Sequence, residues 1–234
     1  MTGGRSLPRL HVVTDDERLA RPDFAERARV VLAAGGERVA LHLRGHRTTG
    51  ARMYALAVAL RAEARARGAL LIVNDRVDVA CVADLDGAHL SRRSIPAAAA
   101  RRQLGDRWLG ASVHGVEAAR AVTGDVDYLV VGTLFATPSH PGRPAAGPGM
   151  VARVAAAVPV PLIAIGGVKA ARVGDALAAG AAGVAVLSGV WDAADPGPEV
   201  IEYLRRLPEG PAAASPRRGA LGTGSAADED RSEC

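Results

Sequence analysis

The chain has 234 residues, which is enough for one large barrel or two small domains. Its formal net charge is +4 and only 3% of its residues are aromatic. No basic run is interleaved with aromatic residues, which argues against a nucleic-acid groove. Cys81 and Cys234 form no disulfide framework, and neither a signal peptide nor a long apolar segment occurs. We therefore expect a cytoplasmic protein with neither a membrane span nor a nucleic-acid partner.

Short apolar runs alternate with helical segments along most of the chain. In order, the predicted strands cover residues 10–14, 39–44, 69–73, 87–90, 108–112, 128–131, 160–165 and 183–187. The predicted helices cover residues 22–34, 49–67, 77–82, 96–103, 116–122, 148–157, 169–179 and 198–207. Eight strand–helix units in this order predict an α/β fold, a single (β/α)8 TIM barrel over residues 9–207.

The segments outside these units differ in composition. Residues 1–8 are predicted to be a disordered leader, and residues 208–234, rich in Pro, Gly, Ala and Ser, a disordered tail. Residues 132–149 form the longest loop and are rich in Pro and Gly, so they are a candidate lid over an active site.

Glycine turns follow the last two predicted strands. Gly166-Gly167 ends the seventh and Ser188-Gly189 ends the eighth. Glycine accepts positive φ and lets another molecule approach the backbone. Two such turns side by side form a cup of backbone N–H groups, which binds phosphate at this place in (β/α)8 barrels. The alternative is that these glycines only save space in ordinary loops.

Polar residues gather where the predicted strands end, and active sites of barrels are built from these loops. These residues are Asp15, Arg44, Asn74, Asp75, His89, Ser112, His114, Thr133 and Thr137. In the second strand, alternation places His42 and Arg44 on one face, with Arg44 at the end of the strand.

The strand-end motifs LHLRGH, VNDRVDVA, DGAHL, GASVH, GTLFATPSH, IAIGGV and GVAVLSGV resemble, in order, those of the thiamine phosphate synthase/TenI superfamily. The resemblance spans residues 10–207. It implies a (β/α)8 barrel that binds the phosphate of a thiazole-ethyl phosphate in the glycine cup, and it suggests a homo-oligomer.

The superfamily contains two chemistries. The synthase joins hydroxymethylpyrimidine pyrophosphate to the thiazole phosphate and uses Mg²⁺ and basic residues to draw off pyrophosphate. The TenI-type tautomerase moves a proton within a carboxylated thiazole phosphate, so that the ring becomes aromatic, and needs no metal. A third possibility is a barrel that binds a thiazole or thiamine phosphate without catalysis.

The synthase pattern is incomplete in this chain. Asp75 matches one Mg²⁺ ligand, but Ser94 stands where the resemblance implies the second aspartate. His46 and His140 stand where it implies lysines. A single aspartate should bind Mg²⁺ weakly, and the lost cations stabilised the departing pyrophosphate. Replacement cations could come from Arg92, Arg93 or Arg143.

These losses favour the tautomerase, an isomerase without a cofactor; the alternative is a synthase, a transferase using Mg²⁺ at Asp75. In the tautomerase His114 is the acid and base, and Arg44 meets the substrate carboxylate. Thr137 matches a substrate-contacting threonine of the family. Further substrate or phosphate contacts are expected at Asn74, Ser112, Gly166, Gly167, Ser188 and Gly189. His89 is expected to make a structural hydrogen bond.

Overall fold

Eight parallel strands close into a barrel in the computed structural model, which describes residues 6–136 and 145–213. Each strand pairs with the next along the chain, and the eighth pairs with the first. The strands are β1 (Leu10–Val13), β2 (Val39–Leu43), β3 (Leu70–Asn74), β4 (Gly87–Leu90), β5 (Trp108–Val113), β6 (Tyr128–Gly132), β7 (Leu162–Ile165) and β8 (Gly183–Val186). The predicted (β/α)8 TIM barrel is confirmed.

Helices follow the strands in turn. They are α1 (Asp16–Ala20), α2 (Phe24–Gly35), α3 (Gly50–Arg67), α4 (Val77–Val82), α5 (Ala97–Leu104), α6 (Val116–Val122), α7 (Pro148–Ala155), α8 (Val173–Ala178), α9 (Ser188–Trp191) and α10 (Pro196–Arg206). Short 3-10 turns lie at Gly36–Arg38 and Ala170–Arg172. None of the helices in the described part of the chain has the length and apolarity needed to cross a bilayer.

The core has two layers because side chains alternate along each strand. Leu41 and Leu43 of β2 pack in the layer that includes the helices. Ile72, Tyr128 and Ile163 belong to the second cluster, which fills the barrel interior. The alternation therefore turns the residue between Leu41 and Leu43, His42, into the barrel.

Two short helices and one 3-10 turn differ from the sequence prediction. α1 begins directly after β1, where the Asp15 side chain accepts a hydrogen bond from the Arg18 backbone N–H at 3.0 Å. α9 begins at Ser188, in the segment predicted as a turn. The predicted helix over 169–179 opens as the 3-10 turn and becomes α-helical at Val173, a common way for a helix to begin.

The two ends of the described chain meet under the barrel. Leu7 is fully buried, its N–H donates to Ala213 O at 2.8 Å, and the Ala212 N–H donates to Leu7 O at 2.7 Å. This pairing lies outside the domain limits of 9 and 207 predicted from the sequence. Residues 1–5 and 214–234 lie outside the described residues, so the leader and the tail stay predictions there. The same holds for a lid at 137–144.

Candidate active site at the carboxyl end of the barrel

The loops that follow the strands form the barrel mouth. The Asp16 carboxylate of α1 holds one of them, the loop after β2. Asp16 accepts hydrogen bonds from the backbone N–H groups of His46, Arg47 and Thr48 at 2.8–2.9 Å, and from the Thr48 hydroxyl at 2.8 Å. Burial would raise the pKa of the Asp16 carboxyl, but these hydrogen bonds, the Thr48 hydroxyl first, lower it. The loop after β2 is therefore held by an ionised group.

Thr14, the first residue after β1, positions Arg44. Its hydroxyl oxygen accepts a hydrogen bond from the Arg44 N–H at 2.7 Å and lies 3.0 Å from the carbonyl oxygens of His42 and Arg44. The Arg44 guanidinium then reaches along the mouth and donates to His46 Nε2 at 2.9 Å. Arg44, which was selected from the sequence, thus lies at the carboxyl end of the barrel as predicted.

The pKa of His46 responds to the charged groups around the loop after β2. Burial lowers the pKa of its imidazole, as do Arg44 and Arg93, while Asp75 and Asp16 act in the opposite direction. Because Nε2 accepts a hydrogen bond from a guanidinium, the ring is neutral in this arrangement. His46 does not replace the cation of a lysine here.

Asp75 lies between β3 and α4 with a left-handed backbone, φ 62°. Its Oδ1 accepts hydrogen bonds from the Ser91 N–H at 2.7 Å and from the Ser94 hydroxyl, which come from the loop after β4. Magnesium prefers several oxygen ligands, at least one or two of them carboxylates. Within residues 6–136 and 145–213 no group of three or more His, Cys, Asp or Glu side chains could hold a metal ion. Because the side chain that contacts Asp75 is that of Ser94, with a hydroxyl and no carboxylate, these residues do not fit a two-carboxylate Mg²⁺ site.

His89 and Ser112 face each other across β4 and β5. His89 Nε2 lies 2.8 Å from Ser112 Oγ, and its buried Nδ1 has no hydrogen-bond partner among the residues that the structure describes. An unpaired lone pair costs less than an unpaired N–H, so Nε2 carries the proton and donates to Ser112. The Ser112 hydroxyl keeps its own proton for another acceptor. Burial, then His42 and Arg44, lower the pKa of His89 well below its usual value.

His114 follows β5 and is exposed at the mouth. Its Nδ1–H donates to the carbonyl oxygen of Gly132 at 3.0 Å, which leaves the lone pair of Nε2 available. Gly132 ends β6, so this hydrogen bond connects the loop after β5 to the start of the loop after β6.

A chain of buried polar groups crosses the barrel interior below the mouth. His11 Nε2 lies 3.2 Å from Pro8 O, His11 Nδ1 lies 2.9 Å from His42 Nε2, and His42 Nδ1 lies 3.2 Å from Asn74 Oδ1. His11 and His42 are almost fully buried, so burial, the largest cause, lowers the pKa of both. Asn74, predicted to bind substrate, thus contacts the His42 imidazole, which in turn contacts His11.

Two structural features, positive φ and close packing, explain why glycine occupies these positions after β7 and β8. Gly166 and Gly167 have φ of 100° and 63°, a region that favours glycine. A Cβ on Gly167 would lie 2.7 Å from Ala136 O, because the loop after β6 packs closely against this turn. At Gly189 a Cβ would collide with the Tyr203 hydroxyl, which itself donates to Val168 O at 2.9 Å. Close packing therefore accounts for part of the glycine pattern. Ser188-Gly189, predicted as a second turn, instead begins α9 after β8.

The mouth brings together most of the residues selected from the sequence, at the ends of β2, β3, β5, β7 and β8. They are Arg44, Asn74, Asp75, Ser112, His114, Gly166, Gly167, Ser188 and Gly189. Thr137, His140 and Arg143 lie outside the described residues. The sequence reasoning missed Asp16 as the anchor of the β2 loop, and its only signal was the pair of aspartates directly after the first strand.

A family model described as thiamine monophosphate synthase, TMP-TENI, matches residues 10–190. The chain is 42% identical to a thiamine-phosphate synthase of Methanoculleus marisnigri over 77% of this chain and 86% of the relative. It is also 42% identical to a thiamine-phosphate synthase of Thermobifida fusca over 85% and 92% of the two chains. A thiamine phosphate pyrophosphorylase structure from Pyrococcus furiosus superimposes with a TM-score of 0.75 at 30% identity, covering 86% of this chain and 96% of that one.

These relatives correct one expectation. The interpretation of the chain as an isomerase, a thiazole tautomerase, is wrong, because relatives 39–42% identical to it are named as synthases, which are transferases. The missing aspartate and lysines favoured the tautomerase. The substitutions at Ser94, His46 and His140 do not outweigh similarity to named synthases over most of the barrel.

Proposed function

The chain belongs to the thiamine monophosphate synthase family, and on that premise we propose that it condenses hydroxymethylpyrimidine pyrophosphate with a thiazole-ethyl phosphate. The observation that carries the proposal is the match over residues 10–190, which includes every loop of the mouth. The geometry supports it because the Arg44 guanidinium and the Ser112 hydroxyl both lie at the carboxyl end of the barrel, where phosphorylated substrates would enter.

The proposed reaction needs little proton transfer. The thiazole nitrogen uses its lone pair to form a bond to the methylene carbon of the pyrimidine. The bond from that carbon to the diphosphate oxygen breaks, and its electron pair leaves with pyrophosphate. The protein must therefore position two rings and stabilise negative charge on the leaving group.

Three side chains suit these tasks. The Arg44 guanidinium provides a fixed positive charge and a planar set of donors for phosphate oxygens. The Ser112 hydroxyl, which receives a hydrogen bond from His89, donates its own proton to a substrate oxygen. The side-chain amide of Asn74, which is hydrogen-bonded to His42, binds the substrate. The Gly166-Gly167 turn after β7 and Ser188-Gly189 at the start of α9 bind the thiazole phosphate.

His114 has a smaller role in this reaction than in a tautomerase. Since the nucleophile is a lone pair, no ring proton has to be removed before the new bond forms. We assign His114 Nε2 to accepting a hydrogen bond from the substrate, with Nδ1–H fixed by Gly132 O. The homo-oligomer implied by the family resemblance belongs to this proposal, and sedimentation of the purified protein checks it.

The experiment is to incubate the purified chain with both precursors and to follow thiamine phosphate and pyrophosphate by mass spectrometry, with and without Mg²⁺. We expect one pyrophosphate per thiamine phosphate. Arg44→Ala should lose most of the rate, while Arg52→Ala, which changes an exposed arginine on α3, should keep it. Binding of the thiazole phosphate without product would contradict the proposal and would indicate a barrel that binds without catalysis.

A further inference from the structure

The loops after β3 and β4 are joined by a carboxylate clamp, defined here as Asp75, Ser91 and Ser94. Asp75 Oδ1 receives the Ser91 N–H at 2.7 Å and the Ser94 hydroxyl, and the Ser91 N–H also lies 2.9 Å from Ser94 Oγ. A second contact between the loops is made by the backbone, where the Asp75 N–H donates to His89 O at 2.9 Å. One oxygen of this carboxylate is therefore already occupied by two donors from its own chain.

The clamp closes a turn that carries two arginines. The Ser94 N–H donates to Ser91 O at 3.1 Å, so residues 91–94 form a tight turn, and Arg92 and Arg93 are exposed at its tip. Arg44 follows β2 and Arg93 lies in the loop after β4, and both strands pair with β3, whose loop carries Asp75. Arg44 and Arg93 thus lie on the loops on either side of Asp75.

A divalent cation suits this position poorly. Magnesium prefers oxygen ligands that include one or two carboxylates, but Ser94 presents a hydroxyl to Asp75 where a second carboxylate would be needed. Asp16, the carboxylate at the start of α1, is committed to the loop after β2 by hydrogen bonds from three backbone N–H groups. Arg44 and Arg93 carry fixed positive charge on the loops on either side of the Asp75 loop.

We propose that Asp75 in this chain is a structural clamp and not a metal ligand, and that Arg93, held by the clamp, binds the diphosphate together with Arg44. This inference rests on the proposed synthase reaction. The guanidinium groups donate paired hydrogen bonds to phosphate oxygens and balance the charge that the diphosphate gains when its bond to carbon breaks. The protein should accordingly bind pyrophosphate without a divalent cation.

The first test measures binding, independently of turnover. Calorimetric titration with inorganic pyrophosphate in EDTA should show binding to the wild-type protein. Arg93→Ala should weaken it roughly tenfold or more, the usual effect of losing a charged hydrogen bond. The control Arg102→Ala changes an arginine on the last turn of α5 and should leave the affinity unchanged. Binding that requires Mg²⁺, or that Arg93→Ala leaves intact, would overturn the inference.

The second test separates a clamp from a metal ligand at Asp75. The amide oxygen of Asp75→Asn can still accept from Ser91 and Ser94, so this variant should bind pyrophosphate in EDTA at least as tightly as the wild type. Asp75→Ala loses the clamp and should bind more weakly. Electron paramagnetic resonance with Mn²⁺ should find weak metal binding in the wild type and stronger binding in Ser94→Asp, where a second carboxylate is restored.

The outcomes distinguish this inference from the proposed function. Tight Mn²⁺ binding to the wild type that Asp75→Asn removes would show that Asp75 ligates a metal, and the inference would fail. Absence of thiamine phosphate from the precursors, with metal-free pyrophosphate binding intact, would refute the synthase reaction and leave the anion site standing. Thiamine phosphate formation in EDTA by the wild type and by Asp75→Asn would support both.

Discussion

His11 Nδ1 and His42 Nε2 lie 2.9 Å apart inside the barrel, in the middle of a chain from Pro8 O to the side chain of Asn74. One of the two nitrogens must donate and the other accept. His42 Nδ1–H donates to Asn74 Oδ1, because an amide oxygen only accepts, so a neutral His42 ring accepts the His11 Nδ1–H at Nε2. The protonation of two buried imidazoles is therefore coupled to the orientation of the Asn74 amide.

Acid should destabilise the protein through His42. Burial, the largest cause, together with Arg44 lowers the pKa of His42 from 6.5 to about 4, although the hydrogen bond with Asn74 raises it. Between these values the unfolded chain binds the proton and the folded chain does not, so the free energy of unfolding falls as the pH drops from 6.5 to 4. The loss from His42 alone is at most about 3 kcal/mol.

This dependence can be measured by urea unfolding at several pH values. The groups that face His42 are His11 from β1, Asn74 from β3 and His89 from β4. Arg44, directly after the strand that carries His42, also acts on it. His42→Gln should flatten the curve between pH 4 and 6.5, whereas His46→Gln at the surface should leave most of the slope. Equal slopes in wild type and His42→Gln would contradict the assignment.

Removal of the Ser112 hydroxyl should impair the proposed reaction. Ser112→Ala takes away a donor that is held by His89, so kcat/KM should fall roughly tenfold or more, the usual effect of a hydrogen bond to a charged oxygen. The measurement is the initial rate of thiamine phosphate formation at a temperature where both proteins are folded. Thr123→Ala is the control, because that hydroxyl has no partner among the described residues and lies at the end of α6. An unchanged rate in Ser112→Ala would remove Ser112 from the site.

Loss of the Asp16 carboxylate should loosen the loop after β2, which carries Arg44 and His46. Asp16→Ala leaves three backbone N–H groups and the Thr48 hydroxyl without their acceptor, which should cost about 1 to 3 kcal/mol of unfolding free energy. Asp23→Ala is a matched control, since Asp23 pairs with Arg21 on an exposed surface where such ion pairs add little. Urea unfolding at neutral pH compares the two variants. Equal stabilities would show that Asp16 does not hold the loop.

A methyl group at Gly167 should disturb the predicted phosphate cup. The residue has φ 63°, and a Cβ would lie 2.7 Å from Ala136 O and 2.9 Å from Phe135 O. Gly167→Ala should therefore lose at least about 1 kcal/mol of stability and weaken binding of the thiazole phosphate. Gly174→Ala adds the same group to α8, where no atom lies within 4 Å, and should be neutral or stabilising. Calorimetric titration and thermal unfolding test both variants, and equal behaviour would exclude the close contact.

The positions of residues near strand ends could be predicted from the sequence, but their hydrogen-bond partners could not. Arg44 and Ser112 could be assigned to the mouth because a strand's end is visible in its own sequence. The substitution at Ser94 was also visible, but its hydrogen bond to Asp75 was not, since that contact joins two loops whose distance depends on the pairing of β3 with β4. The weight given to Ser94, His46 and His140 led to the wrong enzyme class.

The order of strands and helices and the position of polar residues at the strand ends can be read from the amino-acid sequence alone. Both follow from hydrophobic periodicity and from glycine and proline signals within a few residues of each other. The contacts of His11 with His42, of Asp16 with residues 46–48 and of Asp75 with Ser94 became visible in the folded barrel. These contacts join residues 19 to 32 positions apart, and closure of the barrel with its strand register brings them together.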